Sequence, residues 1–216
     1  KRNIKILLAL VVNHCSDEHP WFQKAVADPD CEEAGYFYFK TTSDGKAPNN
    51  WRSNFGGSVW SQLPDQRWYY HTFSSKQPDL NWENPKLREK IYDMINWWLD
   101  KGVAGFRIDA ITFIKKDLTF ASRETGDGHL YPIENLTDYP GIDAFLSELK
   151  EKTFSRYDCM TVAEAPGVGE KTFRSYAGKD GFFSMIFDFN WENMEGETDK
   201  SDTAAVDRWK DKIFQS

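Results

Sequence analysis

Residues 84–110 spell one helix followed at once by one strand, and this unit limits the folds open to the chain more than any other stretch. Asn84 can cap a helix whose first position is Pro85, and Gly102 can supply the left-handed residue that ends it. Leu87, Ile91, Met94, Ile95 and Trp98 recur on one face, so the spacing predicts a helix lying on something apolar. The strand predicted over residues 103–108 begins immediately afterwards and presents Arg107 and Asp109 at its far end. Two charged side chains one residue apart leave an extended backbone on the same face. That arrangement is poor for a core and suitable for a site.

Similar units flank this one. Residues 5–12 are a near-continuous apolar run of strand length, as expected of a parallel strand covered on both faces, and the run ends in Asn13 and His14. Asn13 reads most simply as a turn former. A short helix is predicted over 21–27, and residues 142–153 carry Ile142, Phe145, Leu146 and Leu149 at helical spacing. Residues 160–163 form another short strand, which ends in Glu164. Beyond it, 169–177 reads as helix, 182–189 as strand and 203–214 as amphipathic helix. This alternation predicts a parallel α/β fold. In a (β/α)8 barrel the C-terminal strand ends converge on one face, where active sites sit. An open doubly wound sheet obeys a similar rule, but no glycine-rich phosphate loop follows any strand here.

Residues 36–79 break the pattern. Aromatic runs such as Tyr36-Phe37-Tyr38-Phe39 and Trp68-Tyr69-Tyr70-His71-Thr72-Phe73 alternate with Gly, Asn and Pro turns. They predict a small irregular β-rich subdomain, because a structureless loop of this length is uncommon in a compact domain. The chain holds 9 Trp, 9 Tyr and 16 Phe, 16% of its residues. Aromatic rings beside polar groups suit a sugar, with its apolar faces and polar rim, and equally suit a large aromatic core.

A net charge of −7 disfavours nucleic acid or an anionic membrane surface as partner. No window approaches the roughly 20 apolar residues of a membrane span. Lys1 and Arg2 before the first apolar run resemble the start of a signal peptide, but no small-residue cleavage site follows, so the run reads as a buried strand. Cys15, Cys31 and Cys159 fit neither a disulfide framework nor a zinc site, which makes a reducing, cytoplasmic setting the expectation.

Asp109 and Glu164 are carboxylates at the ends of two strands that a barrel brings together. Retaining glycoside hydrolysis uses such a pair about 5 to 5.5 Å apart, one as nucleophile and one as proton donor. Arg107 can orient Asp109 through charge-assisted hydrogen bonds, whereas Glu164 calls for a less polar surrounding. The same residues could be strand-terminal charges facing solvent. His14 could bind a sugar hydroxyl or be a satisfied structural histidine.

Val11-Val12-Asn13-His14, Gln77-Pro78-Asp79-Leu80-Asn81, Gly105-Phe106-Arg107-Ile108-Asp109-Ala110 and Thr161-Val162-Ala163-Glu164, in this order, resemble successive signature segments of the α-amylase superfamily (glycoside hydrolase family 13). Within it the chain is similar to the oligo-1,6-glucosidase and α-glucosidase branch. The resemblance implies part of a (β/α)8 TIM barrel, strands three to six, with an inserted β-rich subdomain after strand three. The divisions are residues 1–16, 17–79 and 80–216. It implies a retaining, exo-acting α-glucosidase acting on short α-1,4 or α-1,6 oligosaccharides of the maltose or isomaltose type. Asp109 would be the nucleophile, Glu164 the acid/base, Arg107 the partner of the nucleophile and His14 a ligand of the sugar. Phe55 and Phe73 match aromatic positions flanking the sugar, or pack within the insert. Ala110, next to the bond being cleaved, resembles members that accept α-1,4 linkages. No cofactor and no metal are implied.

Three departures accompany the resemblance. Ala9 stands where the family has an aspartate, a buried polar anchor. The His-Asp motif that follows strand seven is absent, and the remaining strands have no counterpart. A complete barrel takes about 250 residues, so the 216 residues are expected to be a central piece of a larger enzyme, inactive alone. Two other readings stay open: a glucosyl-transferring relative such as a sucrose isomerase, and a non-catalytic relative such as the barrel ectodomains that partner amino-acid transporters.

Overall fold

A computed structural model describes residues 4–126 and 128–187. The elements in chain order are β1 (Leu7–Val11), α1 (Pro20–Ala27), β2 (Phe39–Lys40), β3 (Trp51–Arg52), β4 (Trp60–Gln62), β5 (Trp68–Tyr70), α2 (Pro85–Asp100), β6 (Gly105–Asp109), β7 (Tyr131–Pro132), α3 (Ile142–Lys152), β8 (Met160–Ala163), α4 (Glu170–Tyr176) and β9 (Met185–Ile186). The helix expected over 203–214, and the last residues of the strand expected over 182–189, lie outside the described residues.

β1, β6, β8 and β9 make one sheet in that order, every pair parallel. α2, α3 and α4 fall between successive strands, so the described residues form an open arc of a barrel wall, without closure. Leu10, Val12, Phe106, Ile108 and Ala163 point to one face and are buried against Leu87, Ile91, Ile95 and Leu99 of α2 and Phe145, Leu146 and Leu149 of α3. The opposite face stays open: Leu7, Val11, Met160 and Met185 on it are 38 to 48% exposed. Among the described residues only one face of the run at residues 5–12 is covered. The helices cover one face of β1, and the other shares its side with Arg107 and Asp109.

α2 starts as the sequence demands, with Asn84 Oδ1 accepting from Lys86 N at 3.0 Å and Pro85 next to it. Its buried stripe runs through Leu87, Ile91, Tyr92, Ile95 and Leu99, while Met94 and Trp98 are partly exposed. The apolar face is thus rotated from the predicted one. Gly102, at φ +89°, supplies the left-handed turn into β6.

The insert folds as predicted into short strands, β2-β5-β4 antiparallel, with β3 pairing β7. Its core is aromatic: Tyr38, Trp51, Trp60, Tyr70 and Phe120 form one cluster with Phe113 and Ile133. The last three come from the segment after β6, which thereby helps build the insert. Trp51 Nε1 donates to Ala121 O at 3.0 Å and Trp60 Nε1 to Asn49 Oδ1 at 3.0 Å, so both buried indoles are satisfied.

Insert and sheet meet at a buried ion pair. Lys116 Nζ lies 2.5 Å from Asp79 Oδ2, with both side chains almost inaccessible. Lys116 also donates to Asn13 Oδ1 at 2.9 Å and to Phe113 O. Asp79 accepts from Thr72 N at 2.8 Å, Thr72 Oγ1 at 2.5 Å and Asn13 Nδ2 at 3.1 Å. Asn13 is therefore more than a turn former: its side chain is a buried link between the end of β1 and this pair. Burial holds the Lys116 ammonium below the ordinary lysine range, and Asp79 opposes that shift.

Removing the cation would leave the Asp79 carboxylate buried and unpaired. Lys116→Met is expected to lower unfolding free energy by about 3–5 kcal/mol; a denaturant midpoint unchanged from wild type would contradict the role assigned to the pair. A second expectation concerns acid. Burial lowers the affinity of His14 and His71 for protons, and the unfolded chain is not so constrained. Between their depressed native values and the ordinary value of 6.5 the unfolded state binds more protons. Stability is therefore full above pH ~6.5 and falls as pH drops below it, which melting curves between pH 7.5 and 5 would record.

Candidate active site

The rim of the sheet is set by two backbone constraints. Gly105 has φ +146°, and a Cβ there would overlap Met160 O and sit 2.8 Å from Met160 N. Only glycine lets β6 and β8 run this close. The resulting register pairs Ala9 with Arg107 and Arg107 with Val162. At the strand's end Ala110 adopts φ 47°, ψ 38°, which stops β6 and leaves Asp109 at the edge. Glu164 N donates to Ile108 O at 2.8 Å and Ile111 N to Glu164 O at 3.1 Å, so the two acidic strand ends are fastened to each other.

Arg107 joins the carboxylates. One guanidinium nitrogen donates to Asp109 Oδ1 at 2.5 Å and the other to Glu164 Oε1. All three side chains are partly exposed on the open face. The less polar surrounding expected for Glu164 is not what its nearest neighbour provides: that neighbour is a cation. Ala9 occupies the position alongside Arg107 on β1 and offers it no acceptor from its side chain.

A cavity of about 610 Å3 opens beside Glu164. Phe73, Ala110 and Phe113 line it with Asn54, Asn135 and a second carboxylate, Glu134, so aromatic surface stands beside amide and acidic hydrogen-bonding groups. Of the residues singled out in the sequence, Glu164, Phe73 and Ala110 reach this cavity, while Arg107 and Asp109 stand next to it on the sheet. Phe55 is 72% exposed and meets the cavity-lining Phe73 at a ring separation of 5.6 Å. Phe113, Asn54, Asn135 and Phe173 also line it and carried no signal in the sequence. Asn54 comes from the insert, Phe113 and Asn135 from short helical turns after β6 and β7, and Phe173 from α4, so their meeting depends on how these segments pack.

His14 is buried at the end of β1, its ring 5.2 Å from that of Phe73. Gln77 Nε2 meets its Nε2 at 2.9 Å, and Asn13 Nδ2 lies 3.3 Å from its Nδ1. Side-chain amides therefore flank both ring nitrogens, and burial lowers its pKa against the pull of Asp79 and Asp109. A neutral imidazole fits such a setting. His14 lines a neighbouring cavity with Cys15, His19 and Gln77, and is not part of the wall beside Glu164. Among the described residues no group of three or more His, Cys, Asp or Glu side chains could hold a metal ion, and no helix is long and apolar enough to cross a membrane.

Comparison with known proteins gives a consistent result. The family described as "Alpha amylase, catalytic domain" matches residues 1–215. A probable oligo-1,6-glucosidase 3 of Bacillus subtilis (strain 168) is 49% identical over 195 residues, covering 87% of this chain and 34% of the relative. An oligo-1,6-glucosidase of Halalkalibacterium halodurans is 41% identical over 223 residues, 97% of this chain and 40% of that one. The crystal structure of isomaltulose synthase from Erwinia rhapontici NX5 superposes with a TM-score of 0.86 at 30% identity, over 99% of this chain and 40% of that one. The chain thus spans 34 to 40% of the length of these relatives. With its sheet order, its acidic strand ends and a match along nearly its whole length, the chain belongs to the α-amylase catalytic-domain family.

Proposed function

We propose that these residues form part of a retaining, exo-acting α-glucosidase that removes glucose from short neutral oligosaccharides. The observation that carries this reading is the single guanidinium of Arg107 holding Asp109 and Glu164 together beside a cavity lined by aromatic and polar side chains, with no cation among its described lining residues. Oligo-1,6-glucosidases among the relatives support it.

On this reading Asp109 attacks the anomeric carbon as the glycosidic C–O bond breaks, and Glu164 passes its proton to the leaving oxygen. A water then attacks the glycosyl–Asp109 ester, gives a proton to Glu164, and releases glucose and the free carboxylate. For the first step Glu164 has to carry a proton and point at the leaving oxygen, not at Arg107. Exchange of the Arg107–Glu164 contact is therefore part of substrate binding. His14 and Phe73 flank the glucose, the ring of Phe73 covering an apolar sugar face.

A glucosyl-transferring reading is the second candidate, because isomaltulose synthase shares the fold over nearly all of this chain. Product analysis on sucrose separates the two: a hydrolase releases free glucose and fructose, and a transferase returns a new disaccharide.

Three outcomes are expected of the full-length protein. Asp109→Asn should reduce hydrolysis of nitrophenyl α-glucoside by at least about 10⁴-fold; retention of a tenth of the activity would rule out Asp109 as nucleophile. Ala110 should permit α-1,4 bonds, so kcat/KM on maltose should equal or exceed that on isomaltose, and a strong isomaltose preference would count against this assignment. Ala9→Asp would place a carboxylate alongside Arg107 and compete for its guanidinium, so kcat should rise if the Arg107–Glu164 contact restrains the acid. An unchanged or lower kcat would show that it does not.

A further inference from the structure

The loop that follows Glu164 touches the turn before α3 at one unusually close point. Gly167 has φ +83°, and a Cβ built on it would overlap Thr137 Oγ1 and come within 3.0 Å of Thr137 Cβ. No side chain fits there, so the Gly167 backbone lies directly on Thr137. Both residues line the cavity beside Glu164.

The turn is fixed from three sides. Thr137 Oγ1 donates to Glu134 O at 3.0 Å, Asp138 N to Thr112 O at 3.0 Å, and Tyr176 OH to Asp138 Oδ1 at 2.5 Å. Thr112 belongs to the segment just after Asp109, and Tyr176 closes α4, so the turn is tied to the segment after β6 and to the helix after β8. Glu134, Asn135 and Thr137 from this turn and Pro166 and Gly167 from the loop after Glu164 all line the cavity, as adjoining parts of its wall that join where Thr137 meets Gly167.

The side of the site this wall occupies has a chemical meaning that rests on the α-glucosidase reading above. A proton donor must stand on the leaving-group side of the scissile bond. Glu164 lines this cavity and Asp109 does not. We propose that the Thr137–Gly167 contact is the specificity-determining wall for the leaving sugar: it sets the space available to a second sugar unit and leaves the glucose-binding side untouched. Gly167 and Thr137 act by position, through the width of the cavity, and take no part in bond breaking.

The experiment is equilibrium binding of glucose and of maltose to the full-length protein, carried in an Asp109→Asn background so that the glucoside is not consumed. Gly167→Ala should push Thr137 aside and raise the Kd of maltose at least fivefold, with the Kd of glucose within twofold of the parent. Adding Thr137→Gly should restore maltose binding, because it removes the atoms that the new methyl group meets; this separates the contact from the strain of alanine at positive φ. Thr137→Ala alone, which keeps the glycine, should also weaken maltose selectively. Equal weakening of both sugars, lack of rescue by Thr137→Gly, or no binding of either sugar would overturn the proposal. If the selective pattern holds while the wild-type protein hydrolyses no α-glucoside, the wall stands and the α-glucosidase reading falls.

Discussion

The structure depends on one ammonium group that is almost wholly withdrawn from water. Lys116 reaches back from the segment after β6 to Asp79, and through Asp79 to Thr72 of the insert and Asn13 at the end of β1. Three stretches distant in sequence, at residue 13, residues 72–79 and residue 116, are fixed relative to one another around a single charge pair. Taking both ions out of water costs several kcal/mol each, so such a pair contributes little net stability over an apolar replacement. Its effect is geometric, because any other placement of the insert would separate the charges while both remained buried. The insert carries Phe73 and Asn54 into the cavity wall, so the position of this pair governs the shape of the candidate site.

The sheet presents a second constraint. One face is covered by α2 and α3, and the other carries Arg107, Asp109 and Glu164 among partly exposed apolar side chains. Charges on that face are held by each other and not by a hydrophobic layer. Arg107 is in effect the packing partner of both acids, and Ala9 beside it leaves the guanidinium free to serve both.

Much of this was legible in the residues. The capped helix α2, the strand β6 and the acids at the strand ends follow from local rules: Asn84 and Pro85 start a helix, Gly102 ends it, and a buried strand must end in polar residues where it emerges. The candidate site was legible as far as it lies on those strand ends, where the structure brings Arg107, Asp109 and Glu164 together and sets Ala110 beside them. Which face of β1 the helices α2 and α3 would cover was not legible, since an apolar run does not say which of its faces a given helix will reach. The role of Asn13 was missed for a different reason: a polar residue after a strand is usually a turn former, and only tertiary structure brings Lys116 and Asp79 to it. Asn135, Thr137 and Gly167 were invisible because their position depends on two loops meeting, and local sequence pattern carries no information about such a meeting.

Arg107 contacts Asp109 and Glu164 in the same way, yet the proposed chemistry needs them to differ. The guanidinium cannot supply that difference, because it is a symmetrical donor to both. The neighbours can. Asp109 faces toward the buried His14, whose flanking amides and low proton affinity keep it from being a second cation. Arg107 therefore has no competitor for the Asp109 charge, and the carboxylate stays anchored. Glu164 instead borders a cavity of aromatic, amide and acidic groups, Glu134 among them, that a substrate would fill on the proposed reading. A sugar entering there displaces water from around Glu164 and offers it a leaving oxygen, while Asp109 keeps its guanidinium. The two roles are thus divided by what stands on the far side of each carboxylate from Arg107.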